Sequence, residues 1–405
     1  MILLKGNHKI VKISHKHLLP LFYRIYPHYN ALSELIWRIR RILPQVICLF
    51  FNNALIKYRF HHFIEFTGLF LTLMAHQNKK YDILGIGNAI TDILAKVDPS
   101  FLEKEGLTQG SMTLIDAARA KELESQLTPE HIMGGGSVAN TCVVAAQLGA
   151  RVAYLGKIAR DEAGQKFATD MQNNNVTFPS QPLNTHVFDN LPTARCIVMI
   201  TPDGQRTMAT YLGACTCFTP DDVLEEEIAR ASILYLEGYL FDPPHAQEAF
   251  RRAASMAHKH GRQVALSLSD PFCVGRHRSA FLDLVKNHID ILFANEDEIC
   301  ALYTTESFDK AAHYTAQDTT LAALTRSALG SVIVHKRQLT AISPIPTQVV
   351  DSTGAGDAYA AGFMAGLTSG RTLPECGRIA SIAASEIISH YGARPLSNLW
   401  QEMGF

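Results

Sequence analysis

The sequence predicts an α/β protein with a mostly parallel central sheet, and three observations carry that prediction. Short apolar runs recur from residue 81 onward, helix-patterned stretches separate them, and glycine-rich turns with polar residues fall where strands give way to helices. The runs at 81–86, 152–158, 233–236, 264–268 and 291–294 have the length of strands buried on both faces. Stretches 137–148, 246–260 and 279–288 carry apolar residues at helical spacing, and Gly149 and Gly261 stand where two of these helices end. Two stretches break the alternation. Residues 91–116 contain DILAKVD and GSMTLID, and residues 193–213 contain ARCIVMITPDGQRTMATY, whose Pro-Asp-Gly is a turn between strand-like runs. We expect short antiparallel strands in both, forming a small β-sheet lid over the carboxyl edge of the main sheet. The segment between Glu298 and Leu324 shows no clear strand pattern.

At 405 residues, 47% hydrophobic and 19% charged, the chain has the composition of a folded protein rather than a disordered or fibrous one. Its formal net charge of -1 leaves no electrostatic footprint for nucleic acid, so small ligands are the expected partners. The eight cysteines are scattered through apolar segments with no C-x-x-C pair, which fits a reduced cytoplasmic protein. Residues 1–74 differ in texture: many lysines, arginines and histidines stand against only Glu34 and Glu65. Apolar runs there break well short of the roughly 20 residues a membrane span needs, and no signal-peptide layout is present, so no firm membrane association is expected. We expect residues 1–74 to be a basic extension, disordered or upstream of a start at Met74, and residues 75–405 to be the catalytic domain.

The run DSTGAGDAYAAGF, residues 351–363, joins a glycine-rich turn to a helix start. Gly354 and Gly356 let the backbone around Ala355 aim successive N–H groups at one point, and the helix beginning near Ala358 adds its positive dipole end. Such a turn suits phosphate. Asp357 stands at the mouth of that cradle, where a carboxylate repels an anion; a proton acceptor explains its place, and an N-capping aspartate is the structural alternative. After the first strand, GIGNAITD offers Asn88 and Asp92, a donor–acceptor pair suited to neighbouring hydroxyls or, equally, to a turn. HIMGGGSVANT places Gly134, Gly135 and Gly136 before a helix opened by Ser137, with Asn140 one turn in. ILFANEDEIC sets Asn295 and Glu298 three residues apart, able to hold waters around magnesium or simply to cap a helix.

In this order the segments resemble the ribokinase-like (PfkB) family of carbohydrate and nucleoside kinases, over residues 81–395. GGGSVAN followed far downstream by DSTGAGD is the specific pairing. The resemblance implies a three-layer α/β/α domain and ATP-dependent phosphoryl transfer to a primary alcohol of a sugar or nucleoside. It assigns Asp357 as catalytic base and Gly354, Ala355 and Gly356 as anion hole. It places the acceptor on Asn88, Asp92, Gly135, Gly136, Ser137 and Asn140, and Mg2+ with phosphate near Asn295 and Glu298 through water. LTRSALGSVIV resembles the strand and loop along ATP, with Thr325, Arg326 and Gly330 as contacts and Leu329 in place of the usual lysine. A helical stretch at 379–389 then backs the adenine.

Within the family the likeness is greatest to nucleoside kinases acting on adenosine. Asn88 and Asp92 are four apart, whereas ribokinases place the pair two apart, and KVDPSFLEKEGLTQGSMTLID looks like the lid insertion of those enzymes. Tyr239 and Leu240 stand where such kinases put aromatics against the base. Arg206, in the lid turn, is placed to approach the transferring phosphate. The alternatives are a sugar kinase, an inosine or guanosine kinase, and a nucleoside-binding regulator without chemistry.

Overall fold

A strand whose every residue is apolar needs cover on both faces, and all five apolar runs become strands of one sheet. The computed structural model describes residues 2–6, 9–13, 80–183, 191–396 and 399. In chain order its strands are β1 (Ile2–Gly6), β2 (Lys9–Ile13), β3 (Ile83–Ile86), β4 (Ile90–Lys96), β5 (Met112–Leu114), β6 (His131–Gly135), β7 (Val152–Leu155) and β8 (Val176–Thr177). They continue as β9 (Ala194–Ile200), β10 (Arg206–Tyr211), β11 (Ile233–Glu237), β12 (Gln263–Ser267), β13 (Ile291–Asn295), β14 (Leu321–Thr325), β15 (Ser331–His335) and β16 (Gln338–Ile342).

The chain divides into two units, Met1–Gln77 and Asn78–Phe405. In the first, β1 and β2 pair antiparallel; the rest of the basic extension, with its expected disorder or start at Met74, lies outside the described residues. In the second, a nine-stranded sheet among the described residues runs in the order β16-β15-β14-β13-β12-β11-β3-β7-β8. From β14 across to β8 in this order every neighbouring pair is parallel, while β15 pairs antiparallel with β14 and β16 antiparallel with β15 at one edge.

Side chains alternate between two apolar layers with the period of a strand. Leu84, Leu234, Leu236, Leu266 and Leu292 enter one core with helices Pro244–Lys259, Pro271–Asn287, Glu296–Tyr303 and Phe308–Asp318. Ile83, Ile233, Tyr235, Ala265, Ile291 and Phe293 enter the other with helices Ser137–Gln147, Glu162–Asn173, Ala355–Thr368 and Leu373–Ile388. This is the expected three-layer arrangement. Each fully buried large aliphatic or aromatic side chain contributes about 1.5–3 kcal/mol through burial, so the two layers, rather than the polar groups below, hold the site in place.

The lid segments form a second, five-stranded sheet in the order β5-β10-β9-β4-β6. Two features differ from the sequence reading. The sheet is mixed, since β4 lies parallel to β9 and β5 parallel to β10, and Gly134 and Gly135, read only as preceding a helix, end strand β6, antiparallel to β4. Gly134 and Gly135 fit there because other groups occupy the space a side chain would take on each face, Asp170 and Arg394 at Gly134 and Asp92 at Gly135. The unpatterned segment after Glu298 forms two helices before β14, and the helix expected at 279–288 begins earlier, at Pro271, with a non-helical residue at His277.

Chain order places the site. From β3 the chain fills one side of the sheet with β7 and β8, then crosses to the other side at β11, so the order reverses between β3 and its neighbours. Ligands of open α/β sheets bind at the carboxyl ends of strands flanking such a reversal. Asn88 follows β3, Glu237 ends β11, Asn295 ends β13 and Thr325 ends β14.

Candidate active site

A cavity of about 1150 Å³ opens at this edge between the two sheets of the second unit. Its lining includes Asn88, Asp92, Gly136, Ser137, Asn140, Asn295, Glu298, Thr325, Gly354, Ala355, Gly356 and Asp357, so segments far apart in sequence meet around one space. Gly135, Arg326 and Gly330 are not brought into that lining. Gly135 acts from behind: a Cβ there would lie 2.2 Å from the Asp92 carboxylate. Arg326 is engaged elsewhere, paired with Glu296 at 3.1 Å and lying 4.1 Å from the Phe308 ring centroid. Gly330 closes the β14–β15 turn, its carbonyl accepting from the Arg326 amide at 2.8 Å.

The helix Ala355–Thr368 starts one turn sooner than the sequence suggested, with Gly354 in the left-handed conformation (φ 79) as its first cap residue. A side chain at Gly354 would meet the Ala393 methyl at 2.6 Å, so both sterics and backbone require glycine. The early start puts Ala355, Gly356 and Asp357 in the first turn, where amides have no intrahelical acceptor. The Ala355 amide donates to the Ser352 carbonyl at 3.3 Å, leaving the Gly356 and Asp357 amides as the ones the helix itself does not use.

Asp357 is half-buried on the cavity wall. Its Oδ1 accepts from the Ser137 hydroxyl at 2.6 Å and its Oδ2 from the Asn140 amide at 3.3 Å. Burial raises its pKa to about 6, against the pull of those two hydrogen bonds and of Arg394. Ser137 and Asn140, assigned to the acceptor by the sequence reading, thus hold the carboxylate; they share one face of the helix because they are three residues apart.

Asn88 is buried, and its backbone N–H and side-chain Nδ2 both donate to Glu237 Oε1, at 3.2 and 2.7 Å. The amide oxygen is the group left to meet a ligand hydroxyl. Glu237 Oε2 accepts from the Val138 amide at 2.9 Å, and burial raises the pKa of this carboxyl to about 7. Gly136, with φ 98, lets the chain pass the Asn88 carbonyl, which a Cβ would approach at 2.1 Å. Asp92 faces the cavity from β4, and burial raises its pKa to about 7 despite Arg394 and Arg206.

Asn295 and Glu298 form a reciprocal capping box. Asn295 Nδ2 donates to Glu298 Oε1 at 2.7 Å, the Asn295 amide to Oε2 at 3.0 Å, and the Glu298 amide to Asn295 Oδ1 at 2.8 Å. Burial raises the Glu298 pKa to about 7, with Asp270, Asp297 and Asp357 adding to it. Among the described residues no group of three or more His, Cys, Asp or Glu is arranged to hold a metal directly. A buried carboxyl surrounded by other carboxylates fits a hydrated cation carried by phosphate, which needs one or two such oxygens rather than a cage.

Arg206 is paired with Asp351 at 2.8 Å, both side chains nearly buried, while Asp351 also accepts from the Thr353 and Gly392 amides at 3.0 Å each. Tyr239 lines the cavity, but Leu240 turns into the core; Phe293, Tyr359 and the exposed Phe272 also line the cavity, and no pattern in the sequence marks Phe272. Glu237 was also missed, although a carboxylate ending the apolar run ILYLE was a signal.

Fold and site together define a phosphotransferase with an alcohol group as acceptor. The chain belongs to the pfkB family of carbohydrate kinases, whose model matches residues 107–400, and as a kinase it takes ATP as donor substrate. It is similar to the crystal structure of adenosine kinase from Sinorhizobium meliloti, with 47% identity and a TM-score of 0.74 over 80% of this chain and 99% of that one. A probable sugar kinase from Rhizobium etli is 41% identical, with a TM-score of 0.75 over 80% of this chain and 98% of that one. The adenosine kinase of Saccharomyces cerevisiae is 26% identical over 77% of this chain and 97% of its own length. Among the described residues no helix is long and apolar enough to cross a membrane.

Proposed function

We propose that the chain transfers the γ-phosphoryl group of ATP to the 5′-hydroxyl of adenosine, giving AMP and ADP. One observation carries this reading: a half-buried Asp357 carboxylate shares one cavity with a glycine-capped helix N-terminus and with the hydroxyl-binding candidates Asn88 and Asp92. ATP lies on the β14 side against Thr325, and the acceptor lies beneath the five-stranded sheet, which serves as lid. Asp92 and the Asn88 oxygen receive the ribose hydroxyls, and Tyr239 with Phe272 borders the base. Asp357 takes the proton of the attacking hydroxyl. Phosphoryl transfer passes through a loose transition state, so most of the barrier reduction comes from positioning and from charge stabilisation by the first-turn amides. Asn295 and Glu298 hold Mg2+ through water; when bound, the ion neutralises phosphate charge. The free thiols of the described cysteines, most of them buried, support a cytoplasmic setting.

A panel of adenosine, inosine, guanosine, ribose and fructose with ATP and magnesium tests the acceptor. Adenosine is expected to have the highest kcat/KM; a sugar turning over faster sinks the adenosine reading while leaving the kinase class intact.

The raised pKa of Asp357 sets a pH profile. A general base works only when ionised, so activity is lost as pH falls through its pKa. With Asp357 at about 6 and Asp92 at about 7, kcat/KM for the acceptor is expected to climb between about pH 5 and 8 and to level off above. An acid limb near the ordinary carboxylate pKa of about 4 contradicts it.

A further inference from the structure

The loop that follows helix Leu373–Ile388 returns to the acceptor side of the cavity. Gly392 and Ala393 line it, and Arg394 enters the body of the protein with its side chain only 15% exposed. Its Nη2 donates to the Gly134 carbonyl on β6 at 2.7 Å, and its Nη1 to the Ala139 carbonyl of the next helix at 3.5 Å. Asp170, from helix Glu162–Asn173, lies 3.5 Å from Nη2. Gly134 pairs with Thr91 and Met133 with Asp92 across the β4–β6 register, so the carbonyl that Arg394 grips is one position from the partner of Asp92. Arg394 Nε and Asp170 Oδ2 are both buried without a hydrogen-bond partner among the described residues. A buried guanidinium held at this distance from its counter-ion gains less from that pair than it loses on leaving water, so fold stability alone does not account for it.

We propose that Arg394 is a positioning residue of the acceptor site, fixing the strand that backs Asp92 and supplying the positive charge that faces this carboxylate and Asp357. The charged and titratable groups around it are Asp170, Asp92, Cys142, Tyr154 and Asp357, and those around Asp92 are Arg394, Arg206, Asp170, Asp357 and Cys196. Arg394 lowers the pKa of both Asp92 and Asp357, and Asp170 raises that of Asp92. The inference rests on the reading that Asp92 receives acceptor hydroxyls; the acceptor KM of Asp92→Asn, which leaves Arg394 in place, reports on that reading separately.

The test is steady-state kinetics of Arg394→Met, Arg394→Lys and Asp170→Asn from about pH 5 to 9. Arg394→Met is expected to raise the acceptor KM about tenfold or more, the loss of a charged hydrogen bond, with the ATP KM nearly unchanged. It also moves the acid limb of kcat/KM to higher pH, because a lowering charge has gone, and Arg394→Lys restores part of both. Asp170→Asn keeps Arg394 and moves the limb the other way, to lower pH. Equal rises in both KM values with an unmoved limb in the Arg394 variants overturn the proposal. Should Arg394→Met not fold, an unmoved or upward limb in Asp170→Asn does so alone.

Discussion

Asp357→Asn is expected to lower kcat by about a hundredfold to ten-thousandfold, the range for loss of a general base, without lowering the melting temperature. Ser137 and Asn140 each donate one hydrogen bond to this carboxylate; an asparagine oxygen still accepts from Asn140, and its amide can donate to the Ser137 oxygen, since a hydroxyl also accepts. The charge itself is a liability to the fold. Burial raises the Asp357 pKa from 3.8 to about 6, so the carboxylate favours the folded state only when protonated. That contribution is present below the unfolded pKa and is lost as pH rises through about 6. At neutral pH the neutral variant is therefore as stable as the parent or more so. Steady-state kinetics beside a thermal melt separates the outcomes, and a turnover within tenfold of wild type with an unchanged melt removes Asp357 from the chemistry.

Glu237→Ala has the largest expected effect on stability. Three donors, the Asn88 amide, Asn88 Nδ2 and the Val138 amide, lose their acceptor inside a site where Glu237 is 1% exposed. Each buried unsatisfied donor costs about 1–3 kcal/mol, partly offset by removing a carboxyl whose raised pKa shows that its ionisation is unfavourable there. A net loss of about 3–5 kcal/mol is expected, read by chemical denaturation. Glu237→Gln should lose much less, because at pH 7 the carboxyl is near half-protonation and one acceptor oxygen remains. For the Gln variant that does fold, a raised acceptor KM is expected, since Asn88 is no longer held from both sides. Equal stability losses for Ala and Gln would show that one remaining acceptor oxygen does not replace the carboxyl, and would contradict the smaller loss expected for Gln.

The central sheet was legible because burial on both faces leaves a mark in a single sequence. Runs such as ILGI and ILYLE carry no polar alternation, and only a covered parallel strand tolerates that. Strand β6 was not legible, because HIMGG has a single β-branched residue, Ile132, no alternation and two glycines; its conformation comes from pairing with β4 and from Asp92 filling the space a side chain at Gly135 would take. The helices after Glu298 were hard to read because their apolar faces are weak: the second buries Phe308, Ala311, Ala312, Thr315 and Ala316, a helical spacing made mostly of alanine and threonine, and the first is only eight residues long. At the site, residue types named the chemistry but not the partners. Ser137 and Asn140 read as ligand-binding groups, yet they hold Asp357. Arg326 read as an ATP contact, and its guanidinium instead meets Glu296. Glu237 and Arg394 act through neighbours more than 90 residues away in sequence, a relation that no local pattern contains.

The most direct test of the central claim is to follow the γ-phosphate itself. With purified protein, adenosine and ATP labelled at the γ-position, the label is expected to appear in AMP, one AMP for each ADP formed, and to enter AMP at least about a hundredfold more slowly in Asp357→Asn. Release of labelled inorganic phosphate with ADP, and no labelled AMP, would contradict it.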